Sequence, residues 1–197
     1  MNFTEPNITG YIEQCFTARG DSEYGGESVT QLEHALQCAL MAEQAGATLE
    51  LIVASLLHDI GHLLHDLPAD APEQGIDDHH ENSGYRFLEK HFAAAVTDPV
   101  RQHVAAKRYL CTVDSEYQAR LSQPSVISLA LQGGKMSPAE LEAFRATPHW
   151  ADAVRLRRWD DLAKVIDLAT PDLKHYLPLV EQAALSHHQK NQHDAAI

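Results

Sequence analysis

What this sequence has little of excludes several classes of protein. It carries three cysteines in 197 residues, Cys15, Cys38 and Cys111, an odd number with no CxxC spacing. A disulfide framework is therefore excluded, and the thiols are expected to be reduced and packed as small apolar groups, as in a cytoplasmic protein. Cations are scarce as well: 15 Lys and Arg stand against 28 Asp and Glu, for a formal charge of −13. That field repels a phosphate backbone, and no concentrated basic patch offsets it, so nucleic acid is not an expected partner. An anionic small ligand would need a few local cations. No apolar run approaches the length of a bilayer span, and the opening MNFTEPNITG has neither a basic nor an apolar leader region, so neither membrane insertion nor secretion is expected. Period-two runs bounded by hairpin turns are missing too, which leaves an all-α chain.

Histidine is what the sequence has in excess. Thirteen are present, of which only His187, His188 and His193 fall in a polar stretch at the end. A chain of this length with 44% hydrophobic and 22% charged residues is ordinary for one soluble domain. We read residues 1–186 as that domain and 187–197 as a polar tail, without internal repeats. Helices are expected over Ile8–Arg19, ended by Gly20, and over Val29–Ala45, where Leu32, Leu36, Ala39 and Leu40 recur at helical spacing. Thr48 caps an apolar helix through Leu57 that carries His58 and Asp59 in its last turn. Asp66–Asp78, with two prolines and a glycine, reads as a loop or lid-like excursion. His79–Phe92 and a helix starting at Pro99 follow. Ser137-Pro138-Ala139-Glu140 is a capping box with proline at the first helical position. Ala151–Asp167 and Pro171–Ser186 close the chain.

The stretch LLHDIGHLLHD, Leu56–Asp66, is unusual because an apolar run ends in His58-Asp59 and adds His62 and His65. Adjacent helical residues project about 100° apart, so both reach one point only if the helix end faces that point. A metal ion supplies a reason for that placement, since imidazoles hold transition metals and a carboxylate can bridge two. A polar helix terminus, with His58 set against the dipole, accounts for the dipeptide equally well.

His34 lies on the preceding helix, His80 on the following one and His103 on the next, with Asp160 near the end of the chain. This H…HD…H…H…D series resembles the metal-binding signature of the HD-domain superfamily, a helical bundle around one or two metals. The surrounding EYGGES, QLEHALQCA, HVAAKRYL, SLALQGGKM and RRWD resemble its PhnZ-type branch, oxygenases that cleave carbon–phosphorus bonds and are cousins of myo-inositol oxygenase. The resemblance implies that His34, His58 and Asp160 hold one iron, that His80 and His103 hold the other, the substrate-binding iron, and that Asp59 bridges them. It implies a mixed-valent Fe(II)/Fe(III) pair with O2 as co-substrate. It gives phosphonate contacts to Lys107, Ser125, Gln132 and Arg157, and a substrate-contacting role to His62. Tyr24 and Glu27 would form a lid, with the tyrosine occupying the substrate-binding iron at rest. His65 and His79 match no role and are expected at the surface.

The expected reaction is dioxygenation of a small hydroxyphosphonate. With 1-hydroxy-2-(trimethylamino)ethylphosphonate the products are phosphate and glycine betaine; with 1-hydroxy-2-aminoethylphosphonate they are phosphate and glycine. Tyr24 and Glu27, with Gly25 and Gly26 between them, favour the trimethylated form, because a quaternary ammonium prefers an aromatic face with a nearby carboxylate. Two alternatives stay open: a metal-dependent HD phosphohydrolase, for which the site would be the same, and a non-catalytic regulatory HD protein.

Overall fold

The computed structural model describes residues 7–65, 67 and 74–194, with side chains as far as His187. Most of the expected excursion at 66–78 lies outside the described residues. The rest is helical, with no strand element among the described residues: ten α-helices and one short 3-10 turn. These are α1 (Ile8–Arg19), α2 (Gln31–Gln44), α3 (Leu49–Leu57), the 3-10 turn Ile60–Leu64, α4 (His80–Leu88), α5 (Ala94–Val113), α6 (Ser115–Ala119), α7 (Gln123–Leu131), α8 (Pro138–Arg145), α9 (Trp150–Leu162) and α10 (Leu173–Asp194). No helix among them is long and apolar enough to cross a membrane.

The first turn of α2 is pinned by a complete capping box. Thr30 Oγ1 accepts from the Glu33 N–H at 3.2 Å and Glu33 Oε2 accepts from the Thr30 N–H at 2.7 Å. That fixes the register of the next residue, His34. In α3, Leu51, Val53, Ala54, Leu56 and Leu57 are all buried, so the helix is apolar on nearly every side and runs through the middle of the bundle. It packs against α2, α5, α9 and α10. Burial of this kind leaves a helix little freedom to rotate or slide, and its C-terminal end delivers His58 and Asp59 to a fixed point.

Two apolar clusters meet along α5. Its first half joins α1, α2, α3 and α10 through Val96 and Val100, and its second half joins α8 and α9 through Ala106, Tyr109 and Leu110. His103 sits between the two. The helix begins at Ala94 and not at Pro99, which lies inside it. Proline there removes one backbone hydrogen bond, but the turn ahead of it buries Val96 and Thr97, and that burial outweighs the lost bond. The closing helix also differs from expectation, running to Asp194, well past Ser186. The three thiols are free, with Cys38 and Cys111 buried as expected.

Candidate metal centre

Four imidazoles converge in two pairs. His34 Nε2 lies 3.1 Å from His58 Nε2, and His80 Nε2 lies 3.0 Å from His103 Nε2. The opposite ring nitrogens are all engaged. His34 Nδ1 donates to the Ala163 carbonyl at 2.8 Å, His58 Nδ1 to Ser55 at 2.9 Å and His103 Nδ1 to Val100 at 2.6 Å. His80 Nδ1 donates to Asp78 Oδ1 at 2.8 Å. A neutral imidazole that carries its proton on Nδ1 presents a lone pair at Nε2. With both rings neutral, each pair sets lone pair against lone pair in a buried site, an arrangement that a shared proton or a cation between them relieves.

The carboxylates complete this pattern. Asp59 Oδ2 lies 3.3 Å from His58 Nε2 and 3.6 Å from His34 Nε2, while its Oδ1 lies 3.4 Å from His80 Nε2 and 3.3 Å from His103 Nε2. One oxygen thus faces each pair, and Oδ1 is buried with no hydrogen-bond donor. Asp160 adds its carboxylate to the first pair, 3.6 Å from His34 Nε2. The ligand atoms of His34, His58 and Asp160 form one compact group and those of Asp59, His80 and His103 another, each within 4.8 Å. All six side chains are buried. Burial holds the His34 imidazole down to about 4. Burial acts the same way on His58, but Asp59 and Asp160 outweigh it and draw His58 up to about 9. Positive charge is what the carboxylates demand at that point, and a bound cation would supply it. The residues present fit a two-metal centre.

Beside this cluster is a cavity of about 190 Å³, smaller than the ~300–1,000 Å³ pockets that hold drug-sized ligands. Tyr24, Glu27, His62, Lys107, Ser125, Gln132 and Arg157 all line it. Lys107 is buried, four residues and one turn along α5 from His103, and donates to Ser128 Oγ at 2.8 Å. Burial pushes its ammonium down to about 7, and the Arg157 charge beside it adds to that. Gln132 ends α7 with a buried Oε1 that has no partner. His62 Nδ1 lies 2.7 Å from Asp78 Oδ2, and its ring stacks on His80 at 4.0 Å.

Three placements differ from what the sequence implied. Arg157 lines the cavity, but its Nε and Nη2 edge grips Asp161, and Nη1 lies 2.7 Å from Asp160 Oδ2. The fork expected to take an anion is thus largely occupied by carboxylates. The Tyr24 hydroxyl donates to Asp160 Oδ1 at 3.3 Å and its ring stacks on His34 at 3.7 Å, so it caps the His34–His58–Asp160 side. Resemblance had set it over the ion held by His80 and His103. His65, expected at the surface, is half-buried, lines the cavity and lies 3.1 Å from Asp78. His79 is exposed, as expected.

Sequence reasoning missed Asp78 and Lys164. Asp78 accepts from the His80 N–H and side chain and meets His62 and His65, so one carboxylate orients three imidazoles. Its only local signal was the run IDDHH. Lys164 follows α9 and pairs with Glu27 Oε1 at 2.7 Å across 137 positions of chain, a contact that no local pattern announces.

A helical bundle with two carboxylate-linked imidazole pairs defines an HD-domain metalloprotein. The HD domain profile matches residues 32–137, and the chain belongs to that family. It is 44% identical over 181 residues, 92% of each chain, to the [1-hydroxy-2-(trimethylamino)ethyl]phosphonate dioxygenase (glycine-betaine-forming) of Leisingera caerulea. It is 50% identical over 163 residues, 82% of this chain and 81% of the relative, to the hydroxymethylphosphonate dioxygenase of Gimesia maris.

Proposed function

We propose that this chain is an iron-dependent dioxygenase that cleaves the carbon–phosphorus bond of a small 1-hydroxyalkylphosphonate, releasing inorganic phosphate and a carboxylic acid. The observation that carries the reading is the pair of facing imidazole sets with one Asp59 oxygen turned to each, opening on a small cavity walled by buried cations. Kinship with two phosphonate dioxygenases sets the substrate class. The reaction balances without an external reductant: carbinol phosphonate and dioxygen give carboxylate, phosphate and a proton. On this reading His34, His58 and Asp160 hold one iron, His80 and His103 the other, and Asp59 bridges. A mixed-valent iron pair activates dioxygen and acidifies the substrate hydroxyl when bound.

The chain's own residues do the rest. Lys107, Ser125, Gln132 and His62 take the phosphonate oxygens. Arg157, at the cavity wall, keeps Asp160 ionised and oriented. Tyr24 and Glu27 close the cavity, carried on a loop in which Gly25 and Gly26 hold φ of 48° and 79°. Side chains rarely adopt those angles, so the loop geometry depends on glycine there. A Cβ at Gly25 would meet no protein atom within 4 Å, so the cost of a side chain there is the strain of the positive φ and not a clash.

The test is to load the protein with iron under nitrogen, offer hydroxymethylphosphonate and the two 2-amino relatives, admit oxygen and measure phosphate. Phosphate release that tracks oxygen consumption is expected. Release without oxygen would mean hydrolytic cleavage of the carbon–phosphorus bond and remove the oxygenase reading.

A further inference from the structure

We propose that Lys164 is a specificity-determining residue: it competes with any cationic group of the substrate for Glu27, and so favours hydroxyphosphonates that carry no ammonium beyond the carbinol carbon. The inference rests on the reading of the cavity as a hydroxyphosphonate site. The groups that would recognise a substrate ammonium are Glu27 and the face of Tyr24, a carboxylate and an aromatic ring at the cavity wall. Lys164 already sits against both, so the preference for a trimethylated substrate expected from Tyr24 and Glu27 alone is reversed on this inference. Its Nζ is 2.7 Å from Glu27 Oε1 and 5.8 Å from the centre of the Tyr24 ring.

This is not a lysine reaching over the surface. Its Nζ has three N–H donors, and three oxygens receive them: Glu27 at 2.7 Å, Ser122 Oγ at 3.2 Å and Ser125 Oγ at 3.1 Å. Ser122 in turn donates to Glu27 Oε1 at 2.6 Å, so the Glu27 carboxylate is held from two sides. Lys164 and Glu27 are 14% and 16% exposed, shielded enough that solvent does not dissolve the pair. The backbone fixes the lysine as well, because the Ala163 carbonyl just before it accepts from His34.

An ammonium at the second carbon of a substrate would have to displace Lys164 from Glu27 or sit beside its like charge in a half-enclosed space. A substrate with nothing charged there meets a wall already neutral. The two named relatives differ at this point: one is named for a trimethylamino group on the adjacent carbon, the other for a bare hydroxymethyl group.

The experiment uses the full iron-loaded chain with hydroxymethylphosphonate and 1-hydroxy-2-(trimethylamino)ethylphosphonate. Dissociation constants are measured by calorimetry under nitrogen, and kcat/KM by phosphate release in oxygen. Wild type is expected to favour hydroxymethylphosphonate by about tenfold or more in both, the scale of one charged contact. Lys164→Met should shift that ratio toward the trimethylammonium substrate by about tenfold, and Lys164→Arg, which keeps the charge, should hold it. A wild-type preference for the trimethylammonium substrate overturns the inference, and needs no variant to fold. So does an unchanged ratio in Lys164→Met. In either case phosphate is still released, and the proposed function stands. If wild type neither binds nor cleaves either compound, the proposed function falls and this inference falls with it.

Discussion

Asp59 touches both imidazole pairs, so its removal should cost more than one ligand. Asp59→Ala leaves two cations in one buried site with no charge between them, and iron content is expected to fall from about two per chain to one or fewer. Metal analysis after anaerobic loading checks this; two retained irons would place the bridge elsewhere. Lys107 sets the pH response. With its ammonium near 7 in the free protein, raising the pH through that value removes the proton and the attraction for a phosphonate dianion. KM should therefore rise with pH above about 7. Lys107→Arg, charged throughout, should flatten that rise, and Lys107→Met should raise KM by about tenfold to a hundredfold at neutral pH. A flat profile in wild type would take Lys107 out of anion binding. The same depression acts on stability with a definite sign. Between about 7 and 10.5 the unfolded chain holds more protons than the folded one, so stability gains from this group as pH rises across that window.

At the scale of elements, the approach of the 3-10 turn Ile60–Leu64 to the start of α4 decides where His80 stands. A Cβ on Gly61 would lie 2.1 Å from the His80 carbonyl oxygen, a backbone atom that cannot turn aside. Gly61→Ala is expected to push α4 away, lower the melting temperature by several degrees for a cost of ~1–3 kcal/mol, and release the iron held through His80. An alanine variant with full iron content would show that the two backbones separate without disturbing the site. Elements of this kind divide into those the sequence announced and those it did not. α1, α3 and α8 were legible because Gly20 ends the first and Thr48 and Ser137 cap the other two. The start of α5 was misread, because a proline rule with local force yielded to burial of Val96 and Thr97. The five-residue α6 was too brief for periodicity to show, and α7 passed unread although Ser122 caps it, it carries Ser125 and Gln132 follows its last turn.

For the whole molecule, the six proposed ligands were readable through the resemblance of the H…HD…H…H…D order to the family signature, with His34, His80, His103 and Asp160 on helices and His58 and Asp59 at the end of α3. Their outer partners were not, since Asp78 and Lys164 act through contacts with no sequence period. The metal pair should also hold the fold together. Ions that bind only the folded chain stabilise it by about 2.7 kcal/mol each at a hundredfold excess over their dissociation constant. Chelation is expected to lower the melting temperature by several degrees, and iron should restore it. An unchanged transition would mean the cluster is equally content without cations.

The span of chain that builds the centre has a consequence for how it is made. His34 enters early, but the carbonyl that orients it belongs to Ala163, and Asp160 stands a turn before that. A chain still growing on the ribosome therefore lacks one proposed ligand and one anchor until residues 160 and 163 have been synthesised. Four imidazoles and Asp59 emerge first, facing one another unrelieved. On the proposed ligand assignment, the His34–His58–Asp160 site is complete only after α9 has folded back across α5.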